Sequence, residues 1–353
     1  MSKTSPSGDT DSPAFRSELA GALTDTSLHL ILLPTEQCNF RCTYCYEDFE
    51  IGRMHRDTVL GVKRLLDRRL PTLESLSISW FGGEPLLAKG LIEEVSAHIV
   101  GSPSRPDVRY QADMTTNGYL LDLPTVEKLF SLGVRLYQIS LDGPARTHDR
   151  TRIRANGKGS FERIWKNLTA IRESSIPVNT VLRIHVNPEN LEAMPEFLAR
   201  VRDEFLADDR FTVHLKPVER MGGPNDSTME ILGSEARAKA MSDLRAVLAE
   251  GGRGGREFAG SDVCYASRAN SLVIRANGTI GKCTVGLTDP ANMIGTLEPD
   301  GGLRIDNARL SPWVRGWAER DWSSVQCPYA GMPRSTQQQP LLQIASGPRR
   351  PAP

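Results

Sequence analysis

The chain has 353 residues with 43 basic and 43 acidic side chains, so its net charge is zero with histidine neutral. Because neither charge is in excess, the chain has no bulk electrostatic preference for nucleic acid or for an anionic membrane surface. Its hydrophobic content of 39% is ordinary for a globular protein. We therefore expect a small-molecule or peptide substrate, and neither nucleic acid nor membrane as a partner.

The first 27 residues are polar and rich in serine, threonine and aspartate. They lack the apolar core of a signal peptide, and no stretch of the chain approaches the roughly 18 apolar residues of a membrane span. The sequence therefore predicts a cytoplasmic protein with a disordered tail over residues 1–27. In a reducing compartment, clustered cysteines bind metal more often than they form disulfides.

Strand-like and helix-like segments alternate from residue 28 to about residue 220. Between the strand-like runs, apolar residues recur at helical spacing, as Val59, Val62 and Leu66 do. Such alternation implies a parallel sheet with right-handed crossovers, and six units suit a partial (β/α) barrel or a doubly wound sheet. The six predicted strands are residues 29–34, 76–81, 110–115, 135–141, 180–186 and 211–217.

Residues typical of functional loops follow the ends of these strands. Three cysteines follow the first strand, and the segment 82–85 (Gly-Gly-Glu-Pro) follows the second. Thr116 and Asn117 follow the third strand, Asp142 the fourth, and residues 187–190 the fifth. In a parallel α/β barrel, the loops at the carboxyl ends of the strands converge on one mouth, which is where such folds carry out their chemistry. The scattered motifs therefore predict a single site.

The three cysteines are Cys38, Cys42 and Cys45, and their spacing indicates the kind of metal centre. Three thiolates can hold three irons of a [4Fe–4S] cluster and leave the fourth iron open for another ligand. A zinc knuckle is the alternative, but it needs a fourth ligand. His55, the nearest histidine, lies ten residues beyond Cys45 without finger-like spacing.

The spacing Cys-x3-Cys-x2-Cys with an aromatic residue, Tyr44, before the last cysteine, followed by Gly-Gly-Glu-Pro, resembles the radical S-adenosylmethionine (radical SAM) enzymes. The resemblance covers about residues 28–220. It implies that the open iron binds the amino and carboxylate groups of S-adenosylmethionine (SAM). It also implies reductive cleavage of SAM to a 5′-deoxyadenosyl radical, which takes a hydrogen from the substrate. An electron donor such as a flavodoxin or a ferredoxin is then an expected partner.

The resemblance further implies the cofactor contacts. The segment 82–85 matches the part of the family that binds the methionine amino group, with glycines for close backbone approach and Glu84 as an acceptor. Ser140 matches the ribose-binding position, and Arg152 or Arg183 is expected to pair with the methionine carboxylate. No general base is assigned. The expected cofactor residues are Tyr44, Gly82, Gly83, Glu84, Pro85, Ser140, Arg152 and Arg183.

The other three cysteines, Cys264, Cys283 and Cys327, lie in the C-terminal part. Residues 272–283 predict a β-hairpin, with Asn277 and Gly278 as a type I′ turn. This segment is similar to the opening of the SPASM extension of peptide- and protein-modifying radical SAM enzymes. Because three cysteines are present instead of the usual seven, the resemblance implies a shortened, Twitch-like extension with one auxiliary iron–sulfur cluster. Ordinary buried thiols are the alternative.

The predicted fold class is α/β, a partial (β/α)6 TIM-like barrel with a small C-terminal domain of hairpin and helix around the auxiliary cluster. The barrel takes residues 28–220 and the auxiliary domain residues 263–330. A helical connector with a glycine-rich linker takes residues 221–262, and residues 331–353 predict a disordered tail. The tryptophans at 313, 317 and 322 are expected in the core of a terminal helix.

The function that this combination implies is the modification, most simply the oxidative crosslinking, of side chains in a ribosomally made peptide. A sulfatase maturase, which makes formylglycine, is the alternative within the enzymes. Those enzymes carry an aspartate directly after the hairpin cysteine, where this chain has Thr284. An iron–sulfur or zinc protein that acts as a sensor or scaffold is the non-enzymatic alternative, but it has no use for a methionine-binding loop. Only about 27 residues precede the first strand, too few for an independent leader-binding domain. We therefore expect either a separate leader-binding protein as a partner, or a peptide that docks on the barrel mouth and on the hairpin edge of the auxiliary domain.

Overall fold

The computed structural model describes residue 10 and residues 12–250 and 263–332. Near the N-terminus, Pro13–Leu23 forms helix α1, capped by Ser12, whose Oγ accepts a hydrogen bond from the Phe15 amide at 3.2 Å. Phe15 is buried, and its ring lies 5.4 Å from that of Trp317. The prediction of a disordered tail over residues 1–27 is therefore wrong for this helix, because its few apolar side chains dock against the C-terminal part of the chain.

Six parallel strands run from the interior of the sheet to one of its edges, in sequence order, and each pairs with the next. Their bounds agree with the predicted runs to within two residues at each end. They also confirm the partial barrel fold class. The strands are β1 (Ser27–Leu32), β2 (Ser75–Trp80), β3 (Arg109–Thr116), β4 (Val134–Leu141), β5 (Asn179–Val186) and β6 (Phe211–Pro217).

The connections between these strands are helical, and their apolar faces bury the outer side of the sheet. Helix α2 (Arg56–Arg69), for example, buries Val59, Val62 and Leu66, the residues whose spacing predicted it. Helix α4 (Leu123–Ser131) is capped by Asp122, whose carboxylate accepts a hydrogen bond from the Thr125 amide at 3.1 Å. The helices are α2 (Arg56–Arg69), α3 (Lys89–Val100), α4 (Leu123–Ser131), α5 (Ala145–Thr151), α6 (Phe161–Glu173), α7 (Met194–Phe205) and α8 (Ser234–Ala249).

The C-terminal part extends the same sheet instead of packing as a separate layer. Strand β7 pairs in parallel with β1, from His29 opposite Ser271 to Leu32 opposite Ile274, and three antiparallel strands continue outward from it. Two helices then cover this region. The elements are β7 (Ser271–Ile274), β8 (Thr279–Gly281), β9 (Gly295–Leu297), β10 (Leu303–Ile305), α9 (Asn307–Ala318) and α10 (Trp322–Gln326).

The hairpin predicted at residues 272–283 is present as β7 and β8, but its turn differs from the prediction. A type I′ turn needs a positive φ at both central residues. Gly278 has a φ of 86°, whereas Asn277 is not among the residues with positive φ. The Gly278 amide donates to the Arg275 carbonyl at 3.0 Å, so the loop is one of four residues closed by a glycine in the left-handed region.

Two predicted segments fall largely outside the described residues: the glycine-rich linker at 251–256, and the tail at 331–353 apart from residues 331 and 332. Trp313 and Trp317 lie buried in α9, whereas Trp322 begins α10. Among the described helices, none combines the length and the apolar character that a membrane crossing requires.

Candidate active site

The loop after β1 carries Cys38, Cys42 and Cys45 without helical structure, and local hydrogen bonds shape it. The Phe40 amide donates to Cys38 Sγ at 3.3 Å, and the Cys45 amide donates to the Cys42 carbonyl at 3.2 Å. The Thr43 amide donates to the carbonyl of Thr151 at 2.9 Å, which ties the loop to α5. All three cysteines line one cavity of about 210 Å³.

This cavity lies where β1 to β5 end, as the order of the motifs predicted. Six of the eight expected cofactor residues line it, and Glu84 and Pro85 do not. Its wall also contains residues that sequence reasoning did not single out, chiefly aromatic ones. The six are Tyr44, Gly82, Gly83, Ser140, Arg152 and Arg183, and the additional aromatic lining residues are Phe40, Tyr46, Phe49 and Phe81.

Gly82 and Gly83 bring the loop after β2 against the loop after β1. Gly82 has a φ of 92°, and a Cβ on it would lie 2.7 Å from the Thr35 carbonyl oxygen. A Cβ on Gly83 would lie 2.3 Å from the Gln37 carbonyl oxygen. The glycines are therefore required by the contact between two backbone segments, whether or not a ligand is present.

Glu84 departs from its predicted role as the acceptor for the methionine amino group. Its carboxylate is fully buried and accepts hydrogen bonds from Thr116 Oγ1 at 2.7 Å and from the amides of Asn117 at 2.8 Å and Leu86 at 3.0 Å. Pro85 is buried behind it, at the start of a short 3-10 turn. Glu84 thus joins the loops after β2 and β3 and acts behind the cavity wall, because its oxygens already hold protein donors.

A buried polar network, which sequence reasoning missed, supports Tyr44 and Arg152. Arg152 Nη1 donates to the Tyr44 hydroxyl at 2.8 Å, and that hydroxyl donates to Asp142 Oδ1 at 2.9 Å. His185 Nδ1 lies 3.2 Å from the same carboxylate oxygen. Asp142 is fully buried at the end of β4. Its place directly after a strand was the available signal, but the sequence did not reveal its partners.

The charges of this network are set by burial and by hydrogen bonds. Burial acts to raise the pKa of Asp142, but the hydrogen bond from His185 and the positive charge of Arg152 outweigh it and hold that pKa well below its usual range. Burial lowers the pKa of His185 to about 4, against the attraction of Asp142. At neutral pH the network therefore contains an ionised Asp142, a neutral His185 and a charged Arg152.

The cysteine thiols fit a centre that carries positive charge. Burial raises the pKa of Cys38 and of Cys45 to about 12, so thiolates at these positions need a cation to stabilise them. Within the described residues, no three His, Cys, Asp or Glu side chains lie close enough together to hold one metal ion. The zinc alternative therefore gains no support, whereas a [4Fe–4S] cluster needs its three cysteines on three separate irons.

The second group of cysteines also comes together. The Cys264 amide donates to the Val325 carbonyl at 3.1 Å, which brings the segment before β7 alongside α10 and Cys327. Burial, and then the nearby thiols of Cys283 and Cys327, raise the pKa of Cys264. The next residues after Cys283, Thr284 and Val285, line the cavity, so this group lies directly behind the cavity wall.

Comparison with known proteins identifies the region that carries this cavity. Residues 32–201 match the sequence model of the radical SAM superfamily. This part of the chain belongs to that superfamily. The matched region begins at the last residue of β1 and ends in α7, so the radical SAM domain contains the cysteine loop, Gly82, Gly83 and the Asp142 network.

Among curated proteins, the chain is similar to the GTP 3′,8-cyclase of Gloeobacter violaceus, with 26% identity over 298 residues, 79% of this chain and 87% of the relative. Four further relatives are matched over only 40–59% of their own length.

Two kinds of solved structure share the fold. Native anSMEcpe with bound AdoMet and Cp18Cys peptide has a TM-score of 0.62 and 18% identity, over 86% of this chain and 83% of that one. Streptococcus suis SuiB bound to precursor peptide SuiA has a TM-score of 0.52 and 14% identity, over 88% of this chain and 69% of that one. At these identities the likeness shows the fold alone.

Within the radical SAM domain, both candidate arginines line the cavity. Burial raises the pKa of Cys42 and of Cys45, and the positive charge of Arg152 acts against it at both thiols. Burial also raises the pKa of Tyr46, and the charge of Arg183 acts against it there. Arg152 Nε is buried and has no hydrogen-bond partner in the described part of the chain. It can therefore donate a hydrogen bond to a ligand group that lies beside the cysteines.

Proposed function

We propose that the protein is a radical SAM enzyme that cleaves SAM reductively and modifies side chains of a peptide, with oxidative crosslinking as the expected chemistry. The observation that carries this proposal is the single cavity in which the three cysteines, Gly82, Gly83, Ser140 and Arg152 meet. When bound, a [4Fe–4S] cluster at the three cysteines supplies the electron that cleaves SAM to a 5′-deoxyadenosyl radical.

The residues of this chain bind and orient the cofactor. Arg152, with its free Nε beside the cysteines, pairs with the methionine carboxylate. The Tyr44 hydroxyl accepts a hydrogen bond from its guanidinium and is itself held in place by Asp142. Ser140 lines the cavity at the end of β4 and offers a hydroxyl to the ribose. The aromatic wall excludes water, which protects a radical from side reactions.

The charge of the cavity favours a peptide over a nucleotide as the substrate. A nucleoside triphosphate carries several negative charges, but the cationic side chains in this wall are Arg152 and Arg183. Glu47 also lines the wall, and burial raises the pKa of its carboxyl to about 7. His185 also lines the wall and is held neutral by burial. Most of the remaining wall is aromatic or apolar, which suits a peptide side chain. Two proteins of the same fold have been solved with peptides bound.

Two alternatives remain within the radical SAM enzymes. A GTP 3′,8-cyclase is favoured by the sequence relative from Gloeobacter violaceus. A sulfatase maturase needs a carboxylate at position 284, where the Thr284 hydroxyl instead shares a hydrogen bond of 2.8 Å with the Tyr265 hydroxyl. An electron donor such as a flavodoxin or ferredoxin, and a separate leader-binding protein, belong to the same proposal as partners.

The proposal is tested by reconstituting the chain anaerobically with iron and sulfide, reducing it, and measuring 5′-deoxyadenosine by liquid chromatography. We expect SAM to be converted to 5′-deoxyadenosine and methionine, and a peptide selected for binding to increase this rate while losing hydrogen in its mass spectrum. GTP should have no effect. If GTP were consumed in proportion to the 5′-deoxyadenosine formed, the substrate would be a nucleotide and not a peptide.

The second cysteine group predicts a second cluster, which iron analysis can count. Two four-iron clusters give about eight irons per chain, and replacing Cys264, Cys283 and Cys327 together by alanine should leave about four. About four irons in the unaltered chain would mean that these cysteines are plain buried thiols. About twelve would show more than one auxiliary cluster.

A further inference from the structure

Arg183 lies in the middle of β5 on the face of the sheet that lines the active-site cavity. Its neighbours in the sheet are Ser140 of β4 and His214 of β6, which are its Cα partners in the two ladders. It contributes to the cavity wall, as Ser140 and Tyr46 do. Its side chain therefore belongs to the wall of the site.

The guanidinium of Arg183 has no hydrogen-bond acceptor within the described part of the chain, and its Nε is buried without a partner. The nearby carboxylate of Glu219 is already engaged by Lys216 and by Arg237, the latter at 3.0 Å. Two other buried arginines near this site have acceptors: Glu36 holds Arg275 at 2.6 Å, and Arg152 donates to the Tyr44 hydroxyl. Arg183 thus differs from both in having no acceptor among the described residues.

An unpaired, largely buried cation is costly for a folded protein. Burial lowers the pKa of Arg183, although the neighbouring Tyr46 and Tyr44 act in the opposite direction. A guanidinium presents donors in a planar fork that matches a carboxylate in bidentate geometry. A group of this kind is placed where a ligand neutralises it, because the free state has no other compensation.

The methionine carboxylate of SAM does not account for Arg183. That carboxylate belongs beside the cysteines, where Arg152 already stands with a free Nε. Arg183 stands on β5, beside β6, and Met221 of the segment after β6 lines the same cavity. With the methionine carboxylate paired to Arg152, the donors of Arg183 are left for the substrate.

We propose that Arg183 anchors the substrate by binding a carboxylate of the substrate peptide, either an Asp or Glu side chain or the C-terminal carboxylate. The inference rests on the proposed function for its peptide, but it concerns a specificity residue that SAM cleavage alone does not use. It predicts that the modified residue lies close to a negative charge in the peptide sequence. Arg183 is in this sense a positioning residue for the reaction.

The test is a selection of randomised peptides, displayed through their C-termini, on the immobilised, reconstituted enzyme with SAM. With the unaltered chain we expect Asp or Glu to be enriched at one position. The selected peptide should bind Arg183→Gln about 10- to 100-fold more weakly, as expected for the loss of charge-assisted hydrogen bonds. Arg183→Lys should lie between the two, since it keeps the charge and loses the fork. If no acidic residue is enriched, synthetic peptides with a free or an amidated C-terminus decide between the two carboxylates.

The matched control is Arg109→Gln, an exposed arginine at the opposite end of β3, which should leave peptide binding unchanged. Cleavage of SAM without peptide is measured in Arg109→Gln, which should match the unaltered chain, and in Arg183→Gln, where a loss would assign the residue to the cofactor. The melting temperature of Arg183→Gln should be unchanged or higher, because an unpaired buried charge is removed. Together these readouts separate the loss of a substrate contact from misfolding.

Three results would overturn the assignment. If a peptide without a carboxylate bound equally well, the proposed ligand of Arg183 would be wrong. Loss of SAM cleavage in Arg183→Gln would assign the residue to the cofactor. Binding of GTP that disappears in Arg183→Gln would assign it to a phosphate. If the unaltered chain failed to cleave SAM, the proposed function would fail, whereas the peptide selection would still decide whether Arg183 binds a carboxylate.

Discussion

Replacing Cys42 by alanine is expected to reduce the formation of 5′-deoxyadenosine at least about a thousandfold, which corresponds to about 4 kcal/mol in the barrier. Cys42 lies in the same cavity wall as Cys38 and Cys45 and beside Arg152, so its loss removes one anchor of the proposed cluster and leaves the other two unable to hold it. The measurement is single-turnover production of 5′-deoxyadenosine after anaerobic reconstitution, with iron content determined in the same samples.

Thr43→Ala provides the matched control, because Thr43 is exposed in the same loop and its side chain makes no hydrogen bond among the residues that the structure describes. This variant should retain full cleavage. Cys38→Ala and Cys45→Ala should behave as Cys42→Ala does. Full cleavage by a variant that lacks all three cysteines would exclude the radical SAM assignment of the cavity.

Replacing Arg275 by methionine is expected to lower the free energy of unfolding by about 3–5 kcal/mol. Arg275 follows β7 and forms a buried ion pair with Glu36, with Nη2 and Oε2 2.6 Å apart and exposed fractions of 6% and 2%. Arg275 Nη1 also donates to the Leu287 carbonyl at 2.7 Å. Removing the arginine leaves the Glu36 carboxylate buried without its partner, which is the costly outcome.

Denaturant unfolding of the two single variants and of the double variant Glu36→Met/Arg275→Met measures the coupling between these residues. We expect the double variant to be more stable than Arg275→Met, because no charge stays buried alone. Arg68→Met is the control, since Arg68 pairs with Asp300 at 3.5 Å on the surface and such pairs contribute about 0–1 kcal/mol. Equal losses in the free energy of unfolding for Arg68→Met and Arg275→Met would show that the buried ion pair contributes no more to stability than the surface pair.

Much of the fold follows from local pattern. The six strands of the barrel appear where short apolar runs predicted them, because parallel strands buried by helices need such runs regardless of their distant partners. The convergence of Cys38, Gly83 and Ser140 on one cavity follows from strand order alone. These features required no knowledge of side-chain contacts.

What the sequence did not reveal depends on partners that are distant along the chain. The sequence predicts Glu84 as an acceptor that faces a ligand, but in the structure its carboxylate oxygens accept hydrogen bonds from Thr116 and Asn117. Asp142 gains its importance from Tyr44, 98 residues earlier. Likewise, Phe15 makes an ordered helix out of a polar segment only because Trp317 lies beside it. Local composition carries no information on such pairings.

The pairing of β7 with β1 makes the strand that leads into the cysteine loop an interior strand of the sheet. In a fragment that ended before residue 263, β1 would become an edge strand of the sheet. The backbone groups of His29 to Leu32 that face β7 would lose their partners, and Ile31 and Leu33 would lose their contacts with Val273 and Leu287. Edges of this kind recruit strands from other molecules and lead to aggregation. By covering this edge, the C-terminal strands therefore protect the radical SAM domain from self-association, independently of what the C-terminal cysteines bind.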